Sequence, residues 1–414
     1  MRFRDIAFSV AMGMFLAGPA ALGLCHLLGM ESIPPWLSSE EASYLEGGKS
    51  PVDFSGDLAG EFVTGKLQVN LENCVSNNIP GKGAALLGDA AVQRVAIILS
   101  NMAFSWPCYS TFYGSERFYV PSSDSLIQSA RCDRQSRAKG VRSFAEGLAR
   151  VAQANPNRRF AVILADISPR SQTNPTVPLV SESYLTFEAL EDIRQVVAGI
   201  DNVCIEARLY DDQSEYYEYY YHSDHHWNGW GALDSYRAIS NEFGLAGLEK
   251  FYRADAAMGN VFMNGSYARS GLMMLDEAVN EPSVSLENLT IVSGNAPALA
   301  TPDPRRYITD KALSAEFDWY HFWYGPSSEL VLEGGGASGF SRALIIGDSF
   351  TSAIQWPIAQ NYYRTSVFID AHDSSRGKIR LQERIDQTNC EDIYIVASLD
   401  GLCNLEDNHP GYFG

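Results

Sequence analysis

The chain has 414 residues, of which 46% are hydrophobic and 20% are charged, and this is enough apolar material for the core of one large domain or two modest ones. Its formal net charge of -19 at pH 7 leaves no basic excess to neutralise phosphates, which argues against a nucleic acid or an anionic lipid surface as its partner. The sequence contains no Walker A loop and no dinucleotide-binding glycine pattern, and we predict no cofactor.

The N-terminal segment predicts a membrane anchor. After Arg2 and Arg4, the sequence runs from Ile6 to Met30 without a charged residue, about 25 positions against the roughly 20 that a helix needs to span a bilayer. Basic residues on the short leading side place this end in the cytoplasm and the bulk of a single-pass chain outside it. We predict an uncleaved transmembrane helix over residues 1–30, and the alternative is a signal peptide cleaved near Ala20.

The next segments predict a stalk and the beginning of a domain. Residues 31–67 mix Pro, Ser, Gly and acidic residues, a composition typical of a stalk that carries a domain away from the membrane. We predict the domain over residues 68–400 and a C-terminal tail over residues 401–414. The segment from Asn73 to Ser105 is predicted to be helical, because apolar residues recur at spacings of three and four: Val92, Val95, Ile98, Leu99 and Met102.

Helices and buried strands alternate through most of the remaining chain. Helical patterns occupy residues 141–153, 186–198, 231–243 and 377–385, and short apolar strands occupy residues 160–164, 203–205, 343–346, 367–369 and 393–396. This alternation is typical of an α/β fold in which helices cover both faces of a central, mostly parallel sheet. Residues 251–339 are less regular, and we predict that they form irregular connections within the same domain.

Six cysteines follow the predicted anchor, an even number in a compartment where disulfides persist. Cys390 with Cys403 and Cys108 with Cys132 are candidate pairs, although spacing alone does not determine pairing. Buried thiols are the alternative.

Ser349 is predicted at the carboxyl edge of the sheet. It follows the strand over residues 343–346, and a helix can begin at Phe350, whose first backbone N–H groups would point towards the same space. A serine placed there can act as a nucleophile when a base activates it. By itself, however, the pattern fits a helix N-cap better.

A base for this serine is available in the segment from His222 to Trp227, which holds three of the seven histidines. In an Asp-x-His pair, the carboxylate binds the second ring nitrogen and holds the tautomer that a general base needs. Asp224 and His226 are two residues apart and would share one side of an extended segment, whereas His225 would face the other side. We therefore predict that Asp224 and His226 are the partners of Ser349 and that His225 is structural or exposed.

A metal site is an alternative use of the same segment. His222, Asp224 and His226 at alternate positions can ligate zinc, manganese or iron. The other histidines in the exported part of the chain are His321, His372 and His409. They do not form an evident second set of ligands, so we predict no metal.

Aromatic residues surround the histidines, and they have two interpretations. The run from Tyr216 to Tyr221 and the ring of Trp227 can form a platform for sugar rings, or they can cover the core.

The two motifs together resemble those of a known family. Asp224-His225-His226-Trp227, followed by a Gly-Ala helix, and Gly347-Asp348-Ser349-Phe350 resemble the motifs of the DHHW-type proteins. These proteins are related to the alginate O-acetylation proteins AlgJ and AlgX, within the SGNH-hydrolase-like group. The Asp-x-His motif precedes the serine, which is the circularly permuted order of that family and the reverse of ordinary SGNH esterases.

The resemblance implies an SGNH-hydrolase-like fold and roles for individual residues. It implies that Ser349 is the nucleophile, His226 the base and Asp224 the group that orients the base. The candidates for the oxyanion or substrate site are Gly265, Ser266, Arg269 and Trp227.

For function, the resemblance implies a membrane-anchored, extracytoplasmic O-acyltransferase that moves acetyl groups onto a cell-surface polysaccharide through an acyl-serine. A membrane-bound O-acyltransferase would be the partner that supplies the acyl group. Two alternatives stay open at this point: a carbohydrate esterase that uses the same triad, and a non-catalytic surface scaffold with this fold.

Overall fold

The structure is a computed structural model, and it describes residues 58–77, 82–105, 134–166, 186–210, 213–222, 224–247, 329–372 and 379–413, together with short segments between them. The predicted membrane anchor, most of the predicted stalk, Cys108 and Cys132 lie outside the described residues.

The chain divides into two compact units, and the first contains residues 1–106 with two short later pieces. Its described helices are α1 (Leu58–Thr64), α2 (Lys66–Asn77) and α3 (Lys82–Phe104). The helix predicted from Asn73 to Ser105 is therefore two helices, and Pro80 and Gly81 stand between them in the sequence. α1 and the start of α2 also occupy the last part of the predicted stalk.

The burial of α3 differs from what its periodicity indicates. The apolar positions that predicted the helix are exposed, whereas Ala90 and Gln93 on the other side are buried. Among the residues that the structure describes, α3 is the one helix long and apolar enough to cross a membrane, with a hydropathy of 1.4.

The second unit contains the described strands and the remaining helices. The strands are β1 (Tyr109–Ser110), β2 (Arg117–Val120), β3 (Ser125–Gln128), β4 (Arg159–Ala165), β5 (Val203–Ala207), β6 (Tyr252–Arg253), β7 (Ala257–Phe262), β8 (Asp276–Asn280), β9 (Ser283–Val284), β10 (Leu289–Gly294), β11 (Glu329–Gly334), β12 (Phe340–Gly347), β13 (Tyr362–Phe368) and β14 (Asp392–Ser398). The helices are α4 (Arg134–Ala154), α5 (Thr186–Val196), α6 (Gln213–Tyr219), α7 (Gly229–Phe243), α8 (Thr351–Ala359), α9 (Leu381–Thr388) and α10 (Leu399–Asn408).

Seven strands form the central sheet, in the order β10-β11-β13-β12-β14-β4-β5. The five strands β13, β12, β14, β4 and β5 are parallel to one another. β11 pairs antiparallel with β13, and β10 pairs antiparallel with β11. The predicted α/β fold with a mostly parallel sheet is confirmed. The region over residues 251–339 was predicted to be irregular, and this was wrong for β10 and β11, which join the sheet.

The strand order reverses at the centre of the sheet, because the chain passes outwards from β4 to β5 on one side and from β12 to β13 on the other. β14 returns between them and pairs with both β12 and β4. In open α/β sheets, ligands bind beyond the carboxyl ends of the strands at such a reversal.

Two hydrophobic clusters cover the two faces of this sheet. Alternate side chains of β4, β12 and β14 pack against α7 and α8 on one face. The intervening side chains pack against α4, α5, α9 and α10 on the other face. Every residue of β14 is buried, which explains why residues 393–397 within it form a continuous apolar run rather than an alternating pattern.

The C-terminal residues belong to this packing. Residues 401–414 were predicted as a tail, but α10 occupies most of the segment, and Tyr412 and Phe413 are buried. The ring of Phe413 packs edge-on against Phe144 of α4 at a centroid distance of 4.7 Å. Cys390 and Cys403, one of the two candidate disulfide pairs, are not joined by a disulfide in the structure.

Candidate active site

Ser349 lies in a tight turn between β12 and α8, at the carboxyl edge of the sheet. The turn is held against β14, because the backbone N–H of Asp348 donates to the Val396 carbonyl at 3.3 Å. A Cβ on Gly347 would lie 1.7 Å from the same Val396 oxygen, so a glycine is required for this approach. Phe350 is buried behind the turn, whereas Ser349 is partly exposed and can meet a ligand.

His226 connects Ser349 to Asp224. Its Nε2 lies 2.7 Å from Ser349 Oγ, and its Nδ1 lies 2.5 Å from Asp224 Oδ1. Asp224 and His226 are 4% and 8% exposed, so the hydrogen bond between them is shielded from water. The three side chains therefore form one continuous hydrogen-bonded array that ends at the partly exposed hydroxyl.

The backbone around Asp224 bends and is not extended. Besides the imidazole, Asp224 Oδ1 accepts the backbone N–H of His226 at 3.0 Å, a contact in which an aspartate closes a turn with the residue two positions on. His225 does not face away, as the extended segment predicted. Its Nδ1 lies 3.3 Å from Asp224 Oδ1, and its ring centroid lies 3.9 Å from that of His226.

The residues that follow this bend fix it to two helices. Asn228 caps α7 through its side chain, which accepts the backbone N–H of Gly231 at 3.0 Å. The backbone N–H of Asn228 donates to the Tyr219 carbonyl at 2.8 Å, at the end of α6. A Cβ on Gly231 would lie 2.5 Å from that same carbonyl, so the glycine allows α7 to begin against α6. The bend that carries His226 thus has a defined position.

Trp227 is a core residue. Its side chain is 1% exposed, and its ring packs edge-on against Phe350 at a centroid distance of 5.3 Å. Tyr216, Tyr220 and Tyr221 are buried as well. Of the two interpretations of the aromatic residues, this burial favours the one in which Trp227 covers the core over the one in which it offers a face to a sugar ring.

Tyr220 contributes a neutral hydroxyl behind the site. Burial raises the pKa of Tyr220 well above its ordinary value, and the nearby Asp166 carboxylate raises it further. The hydroxyl accepts the backbone N–H of Asp166 at 2.9 Å, just beyond the end of β4. Tyr220 therefore joins β4 to the segment that carries the histidines, and it remains a phenol at any physiological pH.

The turn contains one backbone donor suited to a developing oxyanion. The N–H groups of Phe350, Thr351 and Ser352 donate to Asp348 Oδ1, the Asp348 carbonyl and the Ser349 carbonyl, respectively. Among the described residues, the N–H of Ser349 itself has no such acceptor in the turn. The other predicted candidates for this role lie outside the described residues: Gly265, Ser266 and Arg269.

His222, which belonged to the alternative metal site with Asp224 and His226, is not part of the donor cluster that the structure forms. His222 stacks on Tyr217 at a centroid distance of 4.1 Å. The cluster of possible metal ligands in the described part of the chain is instead Asp224, His225 and His226, whose donor atoms lie within 4.8 Å of one another. In this cluster, His226 already bonds to Asp224 through Nδ1 and to Ser349 through Nε2, which is an arrangement for proton transfer.

Fold and site together define an α/β protein with a Ser-His-Asp array at the carboxyl edge of its sheet. No protein-family model and no curated protein matches the chain. Among solved structures, PatB1 of Bacillus cereus is similar at 18% identity and a TM-score of 0.49, over 69% of this chain and 95% of PatB1. A DHHW family protein from Eubacterium siraeum is similar at 13% identity and a TM-score of 0.48, over 73% of this chain and 97% of that protein.

The O-acetyltransferase domain of Pseudomonas putida AlgJ is also similar, at 11% identity and a TM-score of 0.34, over 72% of this chain and 92% of that domain. These solved structures include a DHHW family protein and AlgJ, the proteins whose motifs the two motifs of this chain resemble.

Proposed function

We propose that this protein is an O-acyltransferase that acts outside the cytoplasm and transfers acetyl groups to a cell-surface polysaccharide through an acyl-serine intermediate. The observation that carries the proposal is the array in which Ser349 Oγ, His226 Nε2, His226 Nδ1 and Asp224 Oδ1 follow one another at hydrogen-bond distances. A serine needs a base, and the base needs a partner on its other nitrogen. The array provides both.

The first half of the reaction forms the acyl-enzyme. His226 Nε2 takes the proton of Ser349 as Oγ bonds to the carbonyl carbon of the acyl donor, and the carbonyl oxygen becomes an oxyanion. The carboxylate of Asp224 stabilises the imidazolium that forms, and in this proposal the Ser349 N–H stabilises the oxyanion. The tetrahedral intermediate then collapses, the leaving group takes the proton from His226, and acetyl-Ser349 remains.

The second half transfers the acetyl group. His226, again neutral, takes the proton of a sugar hydroxyl as that oxygen attacks the acyl carbon of acetyl-Ser349. Collapse of the second intermediate breaks the bond to Oγ, and Ser349 recovers its proton from His226. No step requires a cofactor. Transfer to a sugar rather than to water depends on holding the hydroxyl in position, because positioning is worth a large effective concentration.

The wider setting of the proposal comes from the sequence. The apolar segment over residues 1–30 would anchor the chain in the cell membrane, and a membrane-bound O-acyltransferase would supply the acyl group from the other side. The resemblance to the DHHW-type proteins supports a polysaccharide acceptor. A carbohydrate esterase would use the same array with the acetylated sugar as the acyl donor in the first half and water as the acceptor in the second half.

An acceptor assay tests the proposal. Purified full-length protein is incubated with p-nitrophenyl acetate and a panel of polysaccharides, and acetylated sugar and free acetate are both quantified. We expect acetylated sugar to accumulate with at least one acceptor, and we expect the Ser349→Ala variant to produce none. Free acetate as the sole product with every acceptor would indicate the esterase. Rates no higher than those of the Ser349→Ala variant would indicate a scaffold.

A further inference from the structure

The turn that carries Ser349 is held by a second buried carboxylate, which the reaction described above does not use. Asp348 is 3% exposed. Its Oδ1 accepts the backbone N–H of Phe350 at 3.0 Å, and its Oδ2 accepts the backbone N–H of Ser398 at 2.9 Å and the Ser398 hydroxyl at 2.8 Å. One oxygen therefore binds the turn itself, and the other binds the end of the neighbouring strand.

Ser398 connects this carboxylate to a helix. It is the last residue of β14 and the N-cap of α10, and its hydroxyl oxygen accepts the backbone N–H of Gly401 at 3.1 Å. A helix N-terminus carries partial positive charge and favours a nearby anion. The start of α10 thus helps to compensate for the burial of the Asp348 charge, which would otherwise be costly.

The carboxylate fits because residue 401 has no side chain. A Cβ on Gly401 would lie 2.1 Å from Asp348 Oδ2, closer than any van der Waals contact. Gly347, at the end of β12, approaches the Val396 carbonyl of β14 in the same way. The turn is therefore packed closely against the end of β14 and the start of α10. The position of Ser349 therefore depends on groups from β12, β14 and α10 at once.

We infer that Asp348 is a positioning residue for Ser349, an inference that rests on the proposed function. Its carboxylate ties the turn to the start of α10, so that Oγ stays at hydrogen-bond distance from His226 Nε2. It also binds the Phe350 N–H, which leaves the Ser349 N–H as the donor of the turn that has no acceptor within the turn. A misplacement of about 1 Å in such an arrangement costs on the order of a hundredfold in rate.

Two variants disturb this tie by different means. Asp348→Asn keeps the shape, but its amide nitrogen must face either the Phe350 N–H or the donors of Ser398, so two donors meet. Gly401→Ala leaves Asp348 unchanged and places a methyl group against Oδ2. Because the second variant alters no group in the turn itself, an effect common to both variants points to the tie rather than to one side chain.

Asp392→Asn is the matched control. Asp392 is 0% exposed and begins the same strand that Ser398 ends, so it lies about 20 Å away at the opposite edge of the sheet. Its carboxylate accepts hydrogen bonds from Arg159 and from the Tyr362 hydroxyl. The substitution therefore breaks a comparable buried network without reaching the turn of Ser349.

The experiment compares kcat and KM for p-nitrophenyl acetate hydrolysis by the full-length protein and these variants, together with the Tm of each. We expect Asp348→Asn and Gly401→Ala to lower kcat at least tenfold with KM within twofold of wild type, and Asp392→Asn to lower Tm while kcat per folded molecule stays unchanged. The inference is overturned if Asp348→Asn or Gly401→Ala keeps wild-type kcat while folded. It is also overturned if the loss of kcat in these variants is explained by a lower Tm, that is, by a smaller folded fraction. Ser349→Ala is measured in parallel, since turnover in that variant would overturn the proposed function and this inference with it.

Discussion

His226 Nε2 and Ser349 Oγ lie 2.7 Å apart, although 123 residues separate them in the chain. The fold explains the contact. Both residues follow strands of the parallel part of the sheet, β5 and β12, and the carboxyl ends of parallel strands share one edge. The contact joins the two sequence motifs into one site, and the first predictions concern what each partner contributes.

Replacing Ser349 with alanine should abolish acyl transfer and leave the fold intact. The substitution removes one oxygen from a partly exposed position at the sheet edge, so it opens no core cavity. Turnover of p-nitrophenyl acetate measures the activity, and circular dichroism with thermal unfolding measures the fold. A clearly lower Tm in this variant would show that the serine is a structural cap and not a nucleophile.

The two neighbouring histidines should differ in their contributions. His226→Ala removes the imidazole that bonds to Ser349 and should lower kcat on the order of a thousandfold or more, by analogy with other triads. His225→Ala removes a ring that contacts Asp224 at 3.3 Å but has no described bond to Ser349, so its loss should be far smaller. Steady-state kinetics of the two variants side by side measures the difference. Equal losses would mean that the base has been assigned to the wrong residue.

The reason for selecting His226 from the sequence was wrong, although His226 Nε2 does lie 2.7 Å from Ser349 Oγ. Parity along an extended strand separated His226 from His225, whereas the backbone bends there because Asp224 accepts the His226 N–H. Local hydrogen bonds from an aspartate side chain compete with extended structure. No periodicity in the sequence signals that competition, so the position of His225 beside Asp224 could not be predicted.

Replacing Trp227 should affect stability before it affects acceptor binding. The side chain is 1% exposed and packs on Phe350, so Trp227→Ala should lower the free energy of unfolding by about 3–5 kcal/mol. Chemical denaturation measures this change, and Trp227→Phe, which keeps a ring, should cost less. Unchanged stability with a raised KM for a polysaccharide would instead restore the sugar-platform interpretation.

Chelators should leave the activity unchanged, because the array activates its nucleophile by proton transfer and needs no Lewis acid. The test is turnover after dialysis against EDTA, with the metal content determined by mass spectrometry before and after. A stoichiometric metal ion that is lost together with the activity, and restores it on return, would point to the donor cluster of Asp224, His225 and His226.

The central architecture could be predicted because buried parallel strands have a simple signature. The apolar runs at residues 160–164, 343–346 and 393–396 all became inner strands, and the helical patterns between them became covering helices. The edges of the fold were harder. β10 and β11 pair in antiparallel fashion within a segment rich in Gly and Pro, and α10 with Tyr412 is held by contacts distant in sequence. Such elements depend on tertiary packing, which local patterns do not contain.

Trapping the intermediate tests the central claim most directly. Full-length protein is mixed with p-nitrophenyl acetate and quenched in acid, and the peptides are mapped by mass spectrometry, with His226→Ala treated identically. We expect one acetyl group on the peptide that contains Ser349, located at that residue by fragmentation, and strongly reduced acetylation in His226→Ala. Turnover with no acetyl group on Ser349, or acetylation of Ser349 undiminished without His226, would contradict the Ser349–His226–Asp224 mechanism.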